Sequence, residues 1–133
     1  MDAISQKKTI VIVDDNHVSL MSGRVILKDH YRVFTVSAGE KLFQLLESIS
    51  PDLILLDVVM PSMNGYEVIK QLKSQESSKD IPVIFLSSLD EVENEREGRD
   101  LGAVDYLMKP FSADSLLKAV ETHLPTASQA KGD

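Results

Sequence analysis

Short apolar runs alternate along this chain with stretches in which apolar residues recur every three or four positions. The runs have the β-branched and aliphatic character of buried strands, and the longer stretches have the periodicity of one helix face. The predicted strands cover residues 9–13, 31–36, 52–57, 82–87 and 105–108. The predicted helices cover residues 17–28, 39–49, 64–73, 90–101 and 112–124, and Asn16 is a suitable N-cap for the first.

Strict alternation of strand and helix predicts an α/β fold. Connections between parallel strands are right-handed and place helices on both faces of the sheet. The third strand is almost continuously apolar, as expected for a strand covered on both faces. We therefore expect a five-stranded parallel sheet in the flavodoxin-like order 2-1-3-4-5, the common solution for five such units.

Composition limits the class of protein. A chain of 133 residues, 43% of them hydrophobic, can build one core but not two ordinary domains. The net charge of −7 argues against direct nucleic acid binding, which depends on clustered lysine and arginine. The absence of cysteine excludes disulfides and zinc sites with sulfur ligands. Without a signal sequence or a membrane-length apolar run, we expect a cytoplasmic domain that makes no membrane contact.

The predicted folded domain covers residues 9–124. Residues 1–8 form an N-terminal extension in this interpretation. Residues 125–133 are small and polar, which is typical of a tail or of the start of a linker.

Polar residues follow four of the five predicted strands. Asp14 and Asp15 come after the first, Asp57 after the third, Ser87 after the fourth and Lys109 after the fifth. The carboxyl ends of parallel strands share one edge of the sheet, where ligands bind in α/β folds. Three carboxylates beside a hydroxyl and an ammonium would bind a cation and a phosphoryl group together.

Each of these residues also has an ordinary explanation when taken alone. Acidic residues cap helices, a serine at a strand end is usually in a turn, and an isolated lysine is usually solvated. Their joint occurrence at one edge favours a phospho-accepting site. A carboxylate is an established nucleophile for phosphoryl transfer, and Mg²⁺ suits an all-oxygen site that also holds phosphate.

Four stretches of sequence resemble the response-regulator receiver domain of two-component signalling, the CheY-like superfamily. They are IVDDN at 12–16, PDLILLDVVMP at 51–61 followed by Gly65, IPVIFLSS at 81–88 and GAVDYLMKPF at 102–111. The resemblance covers nearly all of residues 9–124. It implies that Asp57 accepts a phosphoryl group from a sensor histidine kinase or a phosphotransfer protein.

The resemblance also implies a metal site. Asp15 and Asp57 would bind Mg²⁺ directly, with Mn²⁺ as an alternative ion. Asp14 would bind it through water, and the backbone carbonyl of Val59 would add another oxygen. The metal would neutralise the carboxylates that crowd the incoming phosphoryl group.

A switch mechanism is implied as well. Lys109, which the family places before a cis bond to Pro110, would pair with Asp57 and then with the phosphoryl group. Ser87 would move toward that group while the ring of Tyr106 turns inward. The face formed by the fourth helix, fifth strand and fifth helix would then control a partner protein or an output domain, and family members commonly form phosphorylation-dependent homodimers through this face.

Two apolar residues depart from family members that turn over quickly. Val59 and Leu89 occupy positions that flank the path of the water that hydrolyses the phospho-aspartate, where polar side chains can orient it. Neither residue can do so, and we expect slow self-dephosphorylation.

Three rival functions fit the sequence less well than a phosphoacceptor switch, which has no catalytic activity beyond its own phosphorylation and dephosphorylation. A flavodoxin needs a neutral phosphate loop, where this chain has Asp14 and Asp15. A haloacid-dehalogenase-like phosphohydrolase needs a second acid where Val59 stands. A phosphorylation-independent scaffold receiver would lack part of the site.

The sequence leaves open the cognate kinase, the oligomeric state and the output, including whether a cyclic-di-GMP, DNA-binding or kinase domain follows.

Overall fold

The computed structural model describes residues 7–88 and 95–124. Strand and helix alternate throughout, as predicted. The strands are β1 (Thr9–Val13), β2 (Arg32–Val36), β3 (Leu53–Asp57), β4 (Val83–Ser87) and β5 (Asp105–Met108). The helices are α1 (His17–Leu27), α2 (Gly39–Leu45), α3 (Gly65–Lys73), α4 (Glu95–Asp100) and α5 (Ala113–His123).

The five strands form one parallel sheet in the order β2-β1-β3-β4-β5. The predicted topology is therefore confirmed. The order reverses direction between β1 and β3, and in open α/β sheets such a reversal leaves a crevice outside the strand ends.

The core lies in two layers because successive strand residues point to opposite faces of the sheet. Val11 and Val13 belong to the layer that α2 and α3 cover, whereas Ile10 and Ile12 belong to the layer beneath α1 and α5. Strands β3 and β4 are buried along their whole length. This explains why their sequences are continuously apolar up to the polar residue that ends each one.

Several predicted boundaries change in the structure. Helix α2 ends at Leu45 instead of residue 49. Strand β4 begins at Val83, after Pro82, whose carbonyl still accepts a hydrogen bond from Ile54. Helix α4 accounts for residues 95–100 of the fourth predicted helix, and positions 89–94 lie outside the described residues. The extension and tail also fall largely outside them, so the domain limits stay predictions.

Helix α1 buries a different face from the one that its most obvious apolar stripe suggests. The spacing of Val18, Met21, Val25 and Ile26 predicts this helix, but the first three are 74%, 56% and 58% exposed. Ile26 is partly buried and packs against the layer beneath α1 and α5. The buried side chains are Leu20 and Leu27, which pack in the layer shared with α5. Because Leu20 and Leu27 already form the buried face of α1, the exposed stripe of Val18, Met21 and Val25 is a separate surface feature.

Among the described residues, no helix is both long enough and apolar enough to cross a lipid bilayer.

Candidate functional site

The strand register brings the predicted polar residues to one edge of the sheet. Val13 pairs with Leu56, and Asp57 pairs with Leu86, so Asp14 and Asp57 follow neighbouring strands at the same level. On the other side of β3, Ser87 pairs with Met108, the residue before Lys109. Residues separated by up to 95 positions in sequence therefore meet at the carboxyl ends of β1, β3, β4 and β5.

Three carboxylates form a compact cluster at this edge. Asp14, Asp15 and Asp57 each offer one oxygen, and these oxygens lie within 4.8 Å of one another. Asp14 and Asp57 are buried, whereas Asp15 is exposed. Hard oxygen donors with one open side fit Mg²⁺, which keeps several waters and is commonly held by one or two carboxylates. The residues present therefore fit the metal that the resemblance implies.

The first acidic residue is fixed by its own loop. The backbone N–H of Asn16 donates to Oδ1 of Asp14 at 2.9 Å. The Asn16 side chain in turn accepts from the N–H groups of Val18 and Ser19, and so caps α1 as predicted. Capping sets the start of the helix and thereby the position of the acid pair before it.

Lys109 joins the cluster from β5. Its ammonium nitrogen lies 3.0 Å from Oδ2 of Asp14 and 3.3 Å from Oδ1 of Asp57. Its backbone N–H donates to the carbonyl oxygen of Ser87 at 2.7 Å, which continues the β4–β5 pairing past the strand end. The Lys109–Pro110 bond is cis, as the resemblance implies.

Burial and charge shift the pKa values of both partners. Burial, followed by the charge of Asp14, raises the pKa of Asp57 to about 8, and Lys109 only partly offsets this. Burial would lower the pKa of Lys109, but its hydrogen bonds to Asp14 and Asp57 and their charges raise it overall. When Asp57 is ionised, the three carboxylates of the cluster carry three negative charges against the one positive charge of Lys109. A cation would relieve this excess of two negative charges.

The loop after Asp57 is held close to the strand by Gly65. A Cβ on Gly65 would overlap the carbonyl oxygen of Asp57 and lie 2.9 Å from the Phe85 ring. The Gly65 N–H donates to the carbonyl of Val58 at 2.7 Å. Helix α3, whose Asn64 cap and Glu67 form a capping box, therefore starts directly against the predicted acceptor.

The remaining predicted residues lie at or near this edge. Ser87 is buried at the end of β4, and Val59 is 55% exposed in the loop after β3. Tyr106 is two residues before the end of β5 and pairs with Phe85. The contacts predicted for the Ser87 hydroxyl, the Val59 carbonyl and the Tyr106 switch stay predictions, and Leu89 is outside the described residues.

A second polar cluster was missed by sequence reasoning. Nε2 of His123 lies 3.0 Å from Oδ2 of Asp105, and Arg99 reaches Oδ1 of the same carboxylate at 3.4 Å. Burial alone would raise the pKa of Asp105, but His123, the Tyr106 backbone N–H and Arg99 together lower it. This cluster ties α4, β5 and α5 together, and no local pattern in the sequence indicates that His123 has this partner.

The comparisons with known proteins agree with this geometry. The family model described as response regulator receiver domain matches residues 10–121. A probable cyclic di-GMP phosphodiesterase of Vibrio cholerae is 43% identical over 93% of the chain, which spans 28% of that relative. Sporulation initiation phosphotransferase F of Bacillus subtilis is 32% identical over 90% of the chain, which spans 95% of that relative.

A solved structure shows the same arrangement of elements. It is the receiver domain of a sensor histidine kinase from Pseudomonas aeruginosa, with a magnesium ion coordinated in its active site cleft. It shares 27% sequence identity with the chain and superimposes with a TM-score of 0.79. The match covers 87% of the chain and 96% of that structure.

Proposed function

Because this chain belongs to the response regulator receiver domain family, we propose that Asp57 is the residue at which it accepts a phosphoryl group from a histidine kinase or a phosphotransfer protein. One observation carries the proposal: the ammonium of Lys109 lies within 3.3 Å of Asp57 and 3.0 Å of Asp14, beside the carboxylate cluster. A buried carboxylate with a cation on one side and further metal-binding oxygens beside it is suited to an anionic donor.

The proposed metal is Mg²⁺, with Mn²⁺ as an alternative. Asp15 and Asp57 would hold it directly, Asp14 through water, and the carbonyl of Val59 would complete the oxygen set. When bound, the metal neutralises charge on the carboxylates and on the phosphoryl oxygens. The mutual proximity of the three carboxylates and the magnesium ion in the related Pseudomonas receiver support this assignment.

The transfer exchanges one bond for another. An oxygen of Asp57 attacks the phosphorus, the new O–P bond forms, and the P–N bond of the donor phosphohistidine breaks. Where the other ring nitrogen is protonated before transfer, the imidazole leaves in its neutral form. Where it is not, the released nitrogen takes a proton from solvent. Lys109 offsets the charge of the transferred oxygens and Ser87 donates a hydrogen bond to one of them, so that catalysis is positioning and electrostatics.

The exposed stripe of α1 is suited to contact the phosphodonor. Val18 and Met21 are 74% and 56% exposed, and Val18 lines a shallow depression together with Lys109, Pro110 and Phe111. The apolar surface is therefore continuous with the loop that carries the site lysine. A helical donor protein could cover this stripe while its phosphohistidine reaches Asp57, since exposed apolar patches rimmed by polar groups mark interaction sites.

The output of the whole protein is proposed only in general terms. The face formed by α4, β5 and α5 would control a partner protein or an output domain, with dimer formation through that face as one means. The relative of 43% identity is named a probable cyclic di-GMP phosphodiesterase, which supports a similar output, although the chain spans only 28% of it. We further propose a cytoplasmic switch that has no activity beyond its own phosphorylation and dephosphorylation.

Intact mass spectrometry tests the acceptor. The chain is incubated with Mg²⁺ and acetyl phosphate beside Asp57→Asn and a matched control, Asp52→Asn, which changes the acid that directly precedes the same strand. We expect one metal-dependent phosphoryl adduct in the wild type and in the control, and none in Asp57→Asn. An adduct that persists in Asp57→Asn would contradict the assignment. A folded wild type that gives no adduct with acetyl phosphate or a phosphohistidine donor would instead be a scaffold.

The donor surface has its own test. Met21→Glu places a charge in the exposed stripe, and Gln44→Glu adds the same charge at an exposed position of α2. With a phosphorylated histidine kinase that acts on the wild type, we expect transfer to Met21→Glu to slow by about tenfold and transfer to Gln44→Glu to be unchanged. Both variants should react normally with acetyl phosphate, which needs no docking surface. Equal slowing with both donors would place the defect in the site itself.

A further inference from the structure

Tyr106, on β5, is partly buried beside residues of α3 and α4. Its ring packs against Phe85, with ring centroids 5.3 Å apart and planes inclined at 43°. The guanidinium carbon of Arg99 lies 5.7 Å from the Tyr106 ring centroid on the α4 side. The Tyr106 hydroxyl lies 3.3 Å from the hydroxyl of Tyr66, and either group can donate the hydrogen bond.

Helix α4 leaves room for the end of this ring. A Cβ on Gly98 would overlap the Tyr106 hydroxyl and would lie 2.9 Å from the ring of Phe85. A glycine inside a helix is less favourable than alanine because the unfolded chain has more freedom to lose. The position of the Tyr106 hydroxyl gives the physical reason for the glycine: the space that a side chain would fill is occupied by the tyrosine.

Helix α3 contributes a second neighbour of Tyr106, the side chain of Tyr66. Tyr66 follows Gly65, the residue that packs against the Asp57 carbonyl, in the first turn of α3. The Tyr66 ring meets Phe85 edge to face, with centroids 5.4 Å apart and planes at 88°. Phe85 therefore contacts both tyrosine rings, while the hydroxyls of Tyr66 and Tyr106 contact each other. Partly buried phenols usually find such partners, since their ring is apolar and their hydroxyl is not.

We propose that Tyr66 is a positioning residue for Tyr106. Its hydroxyl holds the Tyr106 ring in the space that Gly98 leaves and so couples α3, which starts against the acceptor strand, to the face formed by α4, β5 and α5. The inference rests on the proposed function only in giving Tyr106 the role of switch residue. Loss of one neutral hydrogen bond changes the ratio of held to released ring by about fivefold.

The tyrosine content of the chain makes this proposal directly measurable. The chain has three tyrosines and no tryptophan, so ring-labelled tyrosine gives three sets of NMR signals. Tyr31 packs with the layer beneath α1 and α5, away from the other two, and serves as an internal reference. Tyr66→Phe removes one hydroxyl and keeps the ring contact with Phe85, whereas Tyr31→Phe is the matched control for loss of a phenol elsewhere.

We expect the Tyr106 ring signal of Tyr66→Phe to shift or broaden, and that of Tyr31→Phe to match the wild type. Gly98→Ala should displace Tyr106 further and mark the position of the released ring signal, and Arg96→Ala controls for a new alanine on the same helix. An unchanged Tyr31 signal shows that Tyr66→Phe, Gly98→Ala and Arg96→Ala are folded, and an unchanged Tyr66 signal shows the same for Tyr31→Phe. A Tyr106 signal in Tyr66→Phe that coincides with the wild type would overturn the positioning role.

The measurement is independent of phosphorylation. The ring signals are recorded without a phosphodonor, and the phosphoryl adduct on the same variants is measured separately by intact mass. A wild type that forms no adduct would contradict the proposed function while the ring signals still test Tyr66. A normal adduct with an unmoved Tyr106 signal in Tyr66→Phe would overturn the positioning role alone.

Discussion

Lys109 contacts Asp14 at 3.0 Å, closer than its 3.3 Å contact with Asp57. The lysine follows β5 and Asp14 follows β1, so the ammonium reaches across the ends of β3 and β4. It therefore offsets the charge of two buried carboxylates rather than one. This places Asp14 in two roles, as a member of the predicted metal site and as an anchor for the lysine.

Removal of the ammonium should destabilise the metal-free protein. In Lys109→Met the buried carboxylates of Asp14 and Asp57 lose their counter-charge, and we expect the free energy of unfolding to fall by roughly 2 kcal/mol or more at pH 8. The matched control is Lys79→Met, because Lys79 pairs with Glu76 on the exposed surface. Such pairs contribute at most about 1 kcal/mol.

Urea unfolding in a chelating buffer measures both variants. Mg²⁺ should restore part of the loss in Lys109→Met, since a divalent cation can neutralise the same carboxylates. Equal losses for the buried and the exposed lysine would show that the ion pairs of Lys109 contribute nothing to stability.

The raised pKa of Asp57 predicts a pH dependence of stability. With a pKa of about 8 in the folded chain and an ordinary value of 3.8, the folded carboxyl keeps a proton that the unfolded chain has released. Unfolding then releases a proton, so Asp57 makes the metal-free protein less stable as the pH rises from about 4 to about 8. Asp57→Asn removes this penalty.

We therefore expect Asp57→Asn to be more stable than the wild type in a chelating buffer, with an advantage that grows between pH 5 and pH 8 to a few kcal/mol, on the order expected for a large pKa shift. Asp29→Asn, an exposed acid, is the control. Added Mg²⁺ should shrink the advantage by favouring the ionised wild type. An advantage that does not depend on pH would contradict the raised pKa.

The exposed Val59 predicts a long-lived phosphoryl group. Its side chain is 55% exposed beside the site and has no polar atom with which to orient an attacking water. Val59→Asn should shorten the lifetime by about tenfold, the effect of one well-placed hydrogen bond on a rate. Val59→Ala is the control, because it opens the same space without a polar group.

Decay of the intact-mass adduct after removal of the phosphodonor measures this lifetime. If Val59→Asn and Val59→Ala shorten the lifetime of the adduct by the same factor, the access of water to the phosphoryl group sets the rate and the orientation of that water does not. Leu89→Glu tests the same idea at a position outside the described residues, and unchanged lifetimes in both polar variants would contradict it.

The backbone conformation of Ser62 predicts that a glycine at this position would stabilise the protein. It has a φ of 72°, the one positive value among the non-glycine residues that the structure describes. A left-handed conformation costs a residue with a Cβ roughly 1 to 2 kcal/mol, and glycine avoids that cost but gives the unfolded chain more freedom. We expect Ser62→Gly to raise the free energy of unfolding by about 0.5 to 1 kcal/mol.

The control is Ser50→Gly, because Ser50 is also exposed and lies in a loop but does not have a positive φ. At that position the substitution should lower the free energy of unfolding slightly, because glycine gives the unfolded chain more conformational freedom and relieves no strain in the folded one. Thermal unfolding of both variants gives the comparison, and a loss of stability in Ser62→Gly would show that the serine side chain stabilises the loop.

The element order, the sheet topology and the edge at which the site lies could all be predicted from the amino-acid sequence. Short apolar runs and helical periodicity identify the elements locally, and the rules for parallel connections then leave few arrangements. Asp14, Asp57, Ser87 and Lys109 each end or follow an apolar strand, so their common edge followed from the topology alone. The family resemblance added the cis bond before Pro110, which the structure confirms.

The side-chain contacts and the buried face of α1 could not be predicted in this way, because they depend on how the elements pack. The stripe of Val18 and Met21 looks like a core face in sequence, but Leu20 and Leu27 are the residues in contact with the sheet layer. His123 pairs with Asp105, which is 18 positions away in the sequence. Tyr66 pairs with Tyr106, which is 40 positions away. Side-chain partners at such separations depend on how helices pack on the sheet, and local periodicity does not carry that information.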